Sequence, residues 1–412
     1  MLLTQDDLTS NIAHKIQLKQ SEMLTAINYS MINLFWEIGD ILNANVSQNG
    51  LPEESQILLK KISGTLSVKF SEYFSYEDLI SMKQFNIKCS ATVLVQISSY
   101  ISWEYIPIFF PLESDKAWIF YAKLIHEESL APEQLKKRIA EKLFEKIGLT
   151  LIDINNPFIE LLISRPPRIY RKVFHNEDLD KLQTLLEPQA DKINLLREEI
   201  SSETQKIILT LNSKVLDFQF RCNNHANIRF NFFHWDIGTE IIRLFDTFQF
   251  TNEQEMINKL SIQMEGQFGR LFNLDQIRDC IKFAKRFAPD EQGKIIELSE
   301  AVQWEHIRAL LIIDDRDTLF YYCHETLKNG WNPIELKKFI KNNYHQSHIP
   351  VQHKRESSSI QKKSTEIKSA SRKQKILITY TAIEEHQYSE YDINRNIFKN
   401  PDLIFFIKSS LS

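Results

Sequence analysis

The chain has 412 residues, of which 43% are apolar and 25% charged, with a net charge of −4. Those values fit a soluble globular protein of two or three domains and exclude a chain that is basic throughout. With only 9 glycines and 12 prolines, long helices are favoured over many tight turns.

The first residues, "MLLTQDDLTSNIAHKIQ", turn polar too early for a signal peptide, and no apolar run approaches the ~18 residues a membrane span requires. The expected location is cytoplasmic. Next comes "INYSMINLFWEIGDIL", where Ile27, Met31, Leu34, Phe35, Ile38 and Ile41 follow the 3–4 spacing of an amphipathic helix. The phrase Trp36-Glu-Ile-Gly returns as Trp235-Asp-Ile-Gly. Its neighbourhood returns with it. Asn28 lies eight residues before one Trp and Asn227 eight before the other; Ile62–Phe85 lies over Leu260–Phe283 without a gap; Trp103-Glu104 meets Trp304-Glu305; Phe120-Tyr121 meets Phe320-Tyr321; Pro132–Ile139 meets Pro333–Ile340. The offset drifts only between 198 and 201, so the chain is read as a tandem duplication.

Caps punctuate both copies. Ser75 with Asp78, and Asn273 with Gln276, have the spacing of capping boxes, so helices are expected to begin just after Ser75 and Asn273. Asn332-Pro333-Ile334-Glu335 adds proline at the first helical position. The first copy has Ala131 at that cap, so its last helix should start less sharply. The six tryptophans, Trp36, Trp103, Trp118, Trp235, Trp304 and Trp331, all fall inside the copies; Trp36 and Trp235, on an apolar helical stripe, and Trp103 and Trp304, ahead of an apolar run, are read as core rather than base-stacking platforms. Cys89, Cys222, Cys280 and Cys323 make no framework spacing and are read as reduced, mostly buried thiols.

Between the copies, residues 179–218 are rich in helical pattern. After them, Lys354–Lys375 holds eight Lys/Arg against two Glu, a local +6 on a body of −10. With few large apolar residues, 345–375 reads as a disordered basic linker. The tail from Ile376 turns apolar again. The expected fold is mostly α: a first domain at 1–148, a helical connector at 149–225, a second domain at 226–344, the linker at 345–375 and a short C-terminal tail at 376–412.

The landmark order, Asn, then Trp-[Glu/Asp]-Ile-Gly, [Ile/Leu]-Ser, Phe-Gly, Phe-[Ser/Asn], Trp, Phe-Tyr and Trp-Asn-Pro, resembles the N-terminal helical domain of YhcG-type proteins, bacterial relatives of PD-(D/E)xK nucleases. The second copy fits better, with Phe268-Gly269, Phe272-Asn273 and Trp331-Asn332-Pro333; the first has Ser71 for the glycine and Leu130 for the tryptophan. The resemblance implies a DNA-binding domain followed by a nuclease domain. The nuclease half is not expected here. Its Glu/Gln-x-Lys element has two candidates, Glu335-Leu336-Lys337 on an expected helix and Glu366-Ile367-Lys368 in the expected linker, and only 37 residues follow Lys375. No catalytic residue, metal ligand or cofactor is therefore assigned. His345, His348 and His353 are spaced loosely in a polar segment and are not read as metal ligands.

The candidate contacts to DNA lie on the capped helices. A helix, a Phe-containing turn and a capped helix suit helix-turn-helix geometry. The second copy offers Arg278, Lys282, Lys285 and Arg286 for phosphates, and the first only Lys83 and Lys88. "SRPPRIYRK" adds Arg165, Arg168, Arg171 and Lys172 around Tyr170. The expected function is a non-catalytic DNA-binding or DNA-associated accessory protein. The alternatives are an interaction scaffold that does not touch nucleic acid, docking a protein partner or a second copy through its tail, and a remnant metal-dependent nuclease.

Overall fold

The computed structural model describes residues 5–46, 52–149, 181–182, 184–186, 202–248 and 252–348. Among them no strand occurs, as expected of a mostly α chain. They divide into two compact units, one ending at Glu291 and one starting at Gln292.

The first unit begins with α1 (Gln5–Val46), a helix of 42 residues. It continues with α2 (Pro52–Lys69), a 3-10 turn (Glu72–Phe74) and α3 (Tyr76–Lys88). Short helices follow: α4 (Ala91–Ile97), α5 (Ile106–Phe109), α6 (Asp115–Glu128), α7 (Pro132–Ala140) and α8 (Leu143–Leu149). The same unit holds the start of the second copy: α9 (Ser202–Phe248, 47 residues), α10 (Glu253–Phe268), a 3-10 turn (Arg270–Phe272) and α11 (Leu274–Arg286). The second unit carries α12 (Gln292–Ala301), α13 (Trp304–Leu310), α14 (Arg316–Asn329), α15 (Pro333–Lys341) and α16 (Tyr344–His348).

Two sequence expectations shift. The boundary expected at 225/226 falls inside α9, which runs unbroken from Ser202, so residues 202–225 belong to a structural helix of the second copy. Residues 345–348, expected as the start of the linker, complete α16, where His345 N–H donates to the Tyr322 hydroxyl at 3.3 Å and Tyr344 packs edge-on to Trp331. The rest of the expected linker and the tail lie outside the described residues.

The two long helices are the frame of the first unit. Lys15 pairs with Glu240 at 3.7 Å, Lys19 with Asp236 at 3.0 Å, and Lys214 with Glu37 at 3.3 Å. As the number rises on α1 it falls on α9, so the pair is antiparallel. Each long helix then carries its own short one. α3 lies along α1 and α11 along α9, and these are the most extensive helix contacts beside the seam itself. α2 also reaches α9, and α10 reaches α1. Each copy's second helix therefore rests on the other copy's first.

The repeated Trp-x-Ile-Gly phrase is explained by this packing. A Cβ on Gly39 would overlap the carbonyl of Met82 and lie 2.9 Å from Asn86 Cβ; a Cβ on Gly238 would overlap the carbonyl of Cys280 and lie 2.9 Å from Ala284 Cβ. Glycine is what lets the helix backbones approach. The indole N–H of Trp36 donates to the Cys89 carbonyl at 2.9 Å, and that of Trp235 to Phe287 at 2.8 Å, satisfying an orphan carbonyl at the end of α3 and of α11. Asn28 is fully buried and donates to the carbonyls of Ser98 and Ile101 at 2.9 and 2.7 Å. Trp103, Trp235 and Trp304 are buried as expected, Trp118 and Trp331 are buried too, and Trp36 is half-buried.

The later halves of the copies share their central hydrogen-bonded anchors. In the first unit, Phe144 N–H donates to the Tyr121 hydroxyl at 3.1 Å, and that hydroxyl donates to the Arg138 carbonyl at 3.4 Å. In the second unit, Tyr322 takes the same place between His345 N–H and the Phe339 carbonyl. The Tyr105 hydroxyl donates to Leu130 at 2.8 Å, and His306 Nε2 meets the equivalent Trp331 carbonyl at 2.9 Å. All four cysteines are buried free thiols, and burial pushes the pKa of Cys89 and Cys222 up to about 12.

Candidate nucleic-acid interface

Both expected helix starts are where the caps put them. Ser75 Oγ accepts from Asp78 N–H at 3.1 Å and α3 begins at Tyr76; Asn273 Oδ1 accepts from Gln276 N–H at 3.0 Å and α11 begins at Leu274. At Asn332 the capping box is complete, with Glu335 N–H donating at 3.0 Å and Asn332 N–H donating back to the Glu335 carboxylate at 2.9 Å. Ala131 has no acceptor of its own, yet α7 starts at the equivalent residue, Pro132. The expected loss of sharpness is not seen there, because Gln134 still accepts from Ala131 N–H at 2.8 Å and Pro132 presets the first helical φ.

The turns ahead of α3 and α11 differ. Gly269 sits at φ 84°, a conformation that favours glycine, whereas Ser71 is extended at φ −172°. Ser71 instead uses its hydroxyl, which accepts from Tyr73 N–H at 3.4 Å and donates to the Lys181 carbonyl at 3.1 Å. The missing glycine of the first copy is thus matched by a different backbone path. In both copies the turn is fixed by paired phenylalanines, Phe70 against Phe74 and Phe268 against Phe272, with ring centres 6.1 and 5.6 Å apart.

Helix α11 is two-faced. Ile277, Cys280 and Phe283 are buried. On the far side, Arg278 is half-buried while Asp275, Lys282 and Lys285 are exposed, in the 3–4–3 spacing of a single helical face. Arg278 pairs with Asp275 at 3.9 Å and Lys282 with Asp279 at 3.8 Å. These are long i,i+3 pairs, each with one exposed partner (Asp275 and Lys282), worth at most about 0.5 kcal/mol each, so a phosphate could displace them. Lys285 and Arg286 sit in the last turn, where positive charge also suits the helix dipole. Arg270, exposed on the preceding turn, adds a cation that the sequence reading passed over. Its signal was its place directly after Gly269.

The equivalent face of α3 is not basic. Ile80, Gln84 and Ile87 stand where α11 has Arg278, Lys282 and Lys285. Only Lys88, at the position of Arg286, keeps the charge, and its ammonium donates to the Phe110 carbonyl at 2.5 Å. Lys83 occupies the place of Ile281; it is half-buried, and burial lowers its pKa. The structure therefore gathers the second copy's four candidate cations on one short helix and leaves the first copy's two apart in character. Arg165, Arg168, Arg171 and Lys172 lie outside the described residues. So does Glu366-Ile367-Lys368. The Glu335 carboxylate is engaged as a cap. Among the described residues no group of three His, Cys, Asp or Glu is placed to hold a metal ion, and no helix is long and apolar enough to cross a membrane.

The duplication that this geometry displays has a counterpart among known families. The profile of the DUF1016 N-terminal domain matches residues 11–146 and again residues 210–347. The chain belongs to the DUF1016 N-terminal domain family. The two matched segments hold the two copies read from the sequence, and the second begins inside α9, as the unbroken helix requires. No curated protein and no solved structure matches this DUF1016 chain.

Proposed function

We propose that this chain is a non-catalytic, cytoplasmic DNA-binding accessory protein whose contacts centre on α11, with α10, the Gly269 turn and α11 acting as a helix-turn-helix. The observation that carries this reading is the solvent-facing row Arg278, Lys282 and Lys285 on a helix anchored on its other side by Ile277, Cys280 and Phe283. Cations on a rigid helix can neutralise phosphates with little ordering cost, and the binding they give is salt-dependent. The test is fluorescence anisotropy of the full chain with duplex DNA over a salt series. Log affinity is expected to fall linearly with log salt, and the combined substitution Arg278→Ala, Lys282→Ala, Lys285→Ala and Arg286→Ala is expected to flatten that slope by about 3 to 4. A supercoiled plasmid incubated with Mg²⁺ should stay intact; nicking would restore the nuclease reading.

A protein scaffold is the second reading, and two observations of the first copy favour it. Ile87 is 71% exposed on α3. An open groove of about 570 Å³ is lined chiefly by Pro107, Ile108, Pro111, Pro132, Ile139 and Ala140. Absence of DNA binding at low salt would leave this reading in its place.

A further inference from the structure

We infer that the duplication builds an intramolecular two-site reader, in which α3 and α11 face one DNA duplex about one helical turn apart. The inference rests on the DNA reading above and adds a geometry to it. Three observations carry it, all within the first unit.

The register of the seam comes first. The ion pairs Lys15–Glu240, Lys19–Asp236 and Lys214–Glu37 join positions whose numbers sum to nearly one value. The copies are offset by 199 residues in these helices, as Trp36 and Trp235 show. The two conditions meet at one place, between Ile27 and Asn28 on α1 and between Ala226 and Asn227 on α9. The equivalent buried residues Asn28 and Asn227 therefore flank a local two-fold axis.

The direction of that axis comes second. Equivalent antiparallel helices are exchanged by a two-fold perpendicular to both of them. Such a rotation keeps height above the pair unchanged, so α3 on α1 and α11 on α9 lie on the same face. The cross-contacts agree, since α2 reaches α9 and α10 reaches α1 in the reciprocal way.

The spacing comes third. α3 crosses α1 at Gly39, and α11 crosses α9 at Gly238. Each glycine lies 11 to 12 residues from the midpoint, on opposite sides of it. At 1.5 Å per residue the crossings are about 34 Å apart along the seam. B-DNA repeats the same groove every ~34 Å, the distance that two-fold helix-turn-helix dimers span between half-sites. The two sites are unequal, α11 supplying a basic face and α3 only Lys88 with the neutral Gln84 beside it. A strong and a weak contact on one rigid frame give avidity that a short duplex cannot use.

The experiment compares the full chain on 12-bp and 24-bp mixed-sequence duplexes across a salt series. A longer duplex gains registers, but extra registers do not change the salt slope. The expected result is a slope steeper by about 1 or more on the 24-bp duplex, and its return to the 12-bp value in Gln84→Glu/Lys88→Glu. Both side chains are exposed, and an unchanged melting curve would confirm that this variant folds. Equal slopes on the two duplexes, or a Gln84→Glu/Lys88→Glu variant with an unaltered 24-bp slope, would overturn the two-site inference while the α11 substitutions still flatten the slope. Binding whose affinity and salt slope are unchanged by the α11 substitutions on both duplexes would overturn the α11 reading itself.

Discussion

Gly39 and Gly238 show what the repeated phrase is for. Both sit in the middle of long helices, where glycine is ordinarily unfavourable by about 1 kcal/mol relative to alanine. Each is placed where the backbone of a second helix leaves no room for a Cβ, the Met82 carbonyl at one and the Cys280 carbonyl at the other. Alanine at either position would improve the helix and spoil the crossing. The crossing dominates, because the obstructing atoms are backbone and cannot turn aside. Gly39→Ala and Gly238→Ala are each expected to destabilise the chain by about 1–3 kcal/mol in urea unfolding, despite the propensity gain. Gly64→Ala, with nothing near its added Cβ, is the control and should be neutral or stabilising. A Gly39→Ala variant as stable as the control would remove the packing explanation of the motif.

At the scale of helices, the seam between α1 and α9 holds charge as well as apolar surface. Glu240 accepts from Arg243 and sits beside Lys15; these partners hold its carboxyl below the usual glutamate range although burial opposes them. Burial alone would lower the Lys19 ammonium, but the Asp236 carboxylate overrides it and raises the value. A lowered carboxylate gives stability that is present above its unfolded pKa of 4.5 and is lost as pH falls through the folded value. A raised lysine gives stability that is complete below 10.5 and fades above it. Through Glu240 and Lys19 the seam should therefore change little between about pH 5 and pH 10, and through Glu240 it should weaken in acid. Thermal melts from pH 6 down to pH 3 should fall less steeply for Glu240→Gln than for the parent chain; parallel curves would mean that Glu240 carries no linkage. The helix starts at Ser75, Asn273 and Asn332 were legible, because a cap is a local signal. The seam itself was not. Its partners are some 200 residues apart, and buried polar residues such as Gln20, Asn28, Gln219 and Asn231 interrupt the apolar stripe that would have announced a second buried face. The basic face of α11 was legible as charge, whereas the exposure that makes it a candidate site depends on which side α9 covers.

For the whole molecule, the family match treats the copies as two separate domains, yet neither forms its first layer alone. α1 buries Ile12, Ile16, Gln20, Met23 and Ile27 in the half that pairs with α9 through Lys15 and Lys19. A fragment ending at residue 149 would leave that stripe open to water. Burying it again is favourable by roughly 25 cal/mol per Å² of apolar surface, and a second fragment offers the same surface. The antiparallel register also suits self-pairing. Glu37 occupies the position of Asp236, so in a homodimer it would meet Lys15 or Lys19 of the other copy. The fragment 1–149 is accordingly expected to dimerise or associate further at micromolar concentration, as light scattering after size exclusion would show, and Lys15→Glu/Lys19→Glu should weaken that association by setting three acidic residues in one row. A fragment that stays a stable monomer would mean that the first copy closes its own core, and the two-fold frame inferred for DNA would then lose its structural necessity.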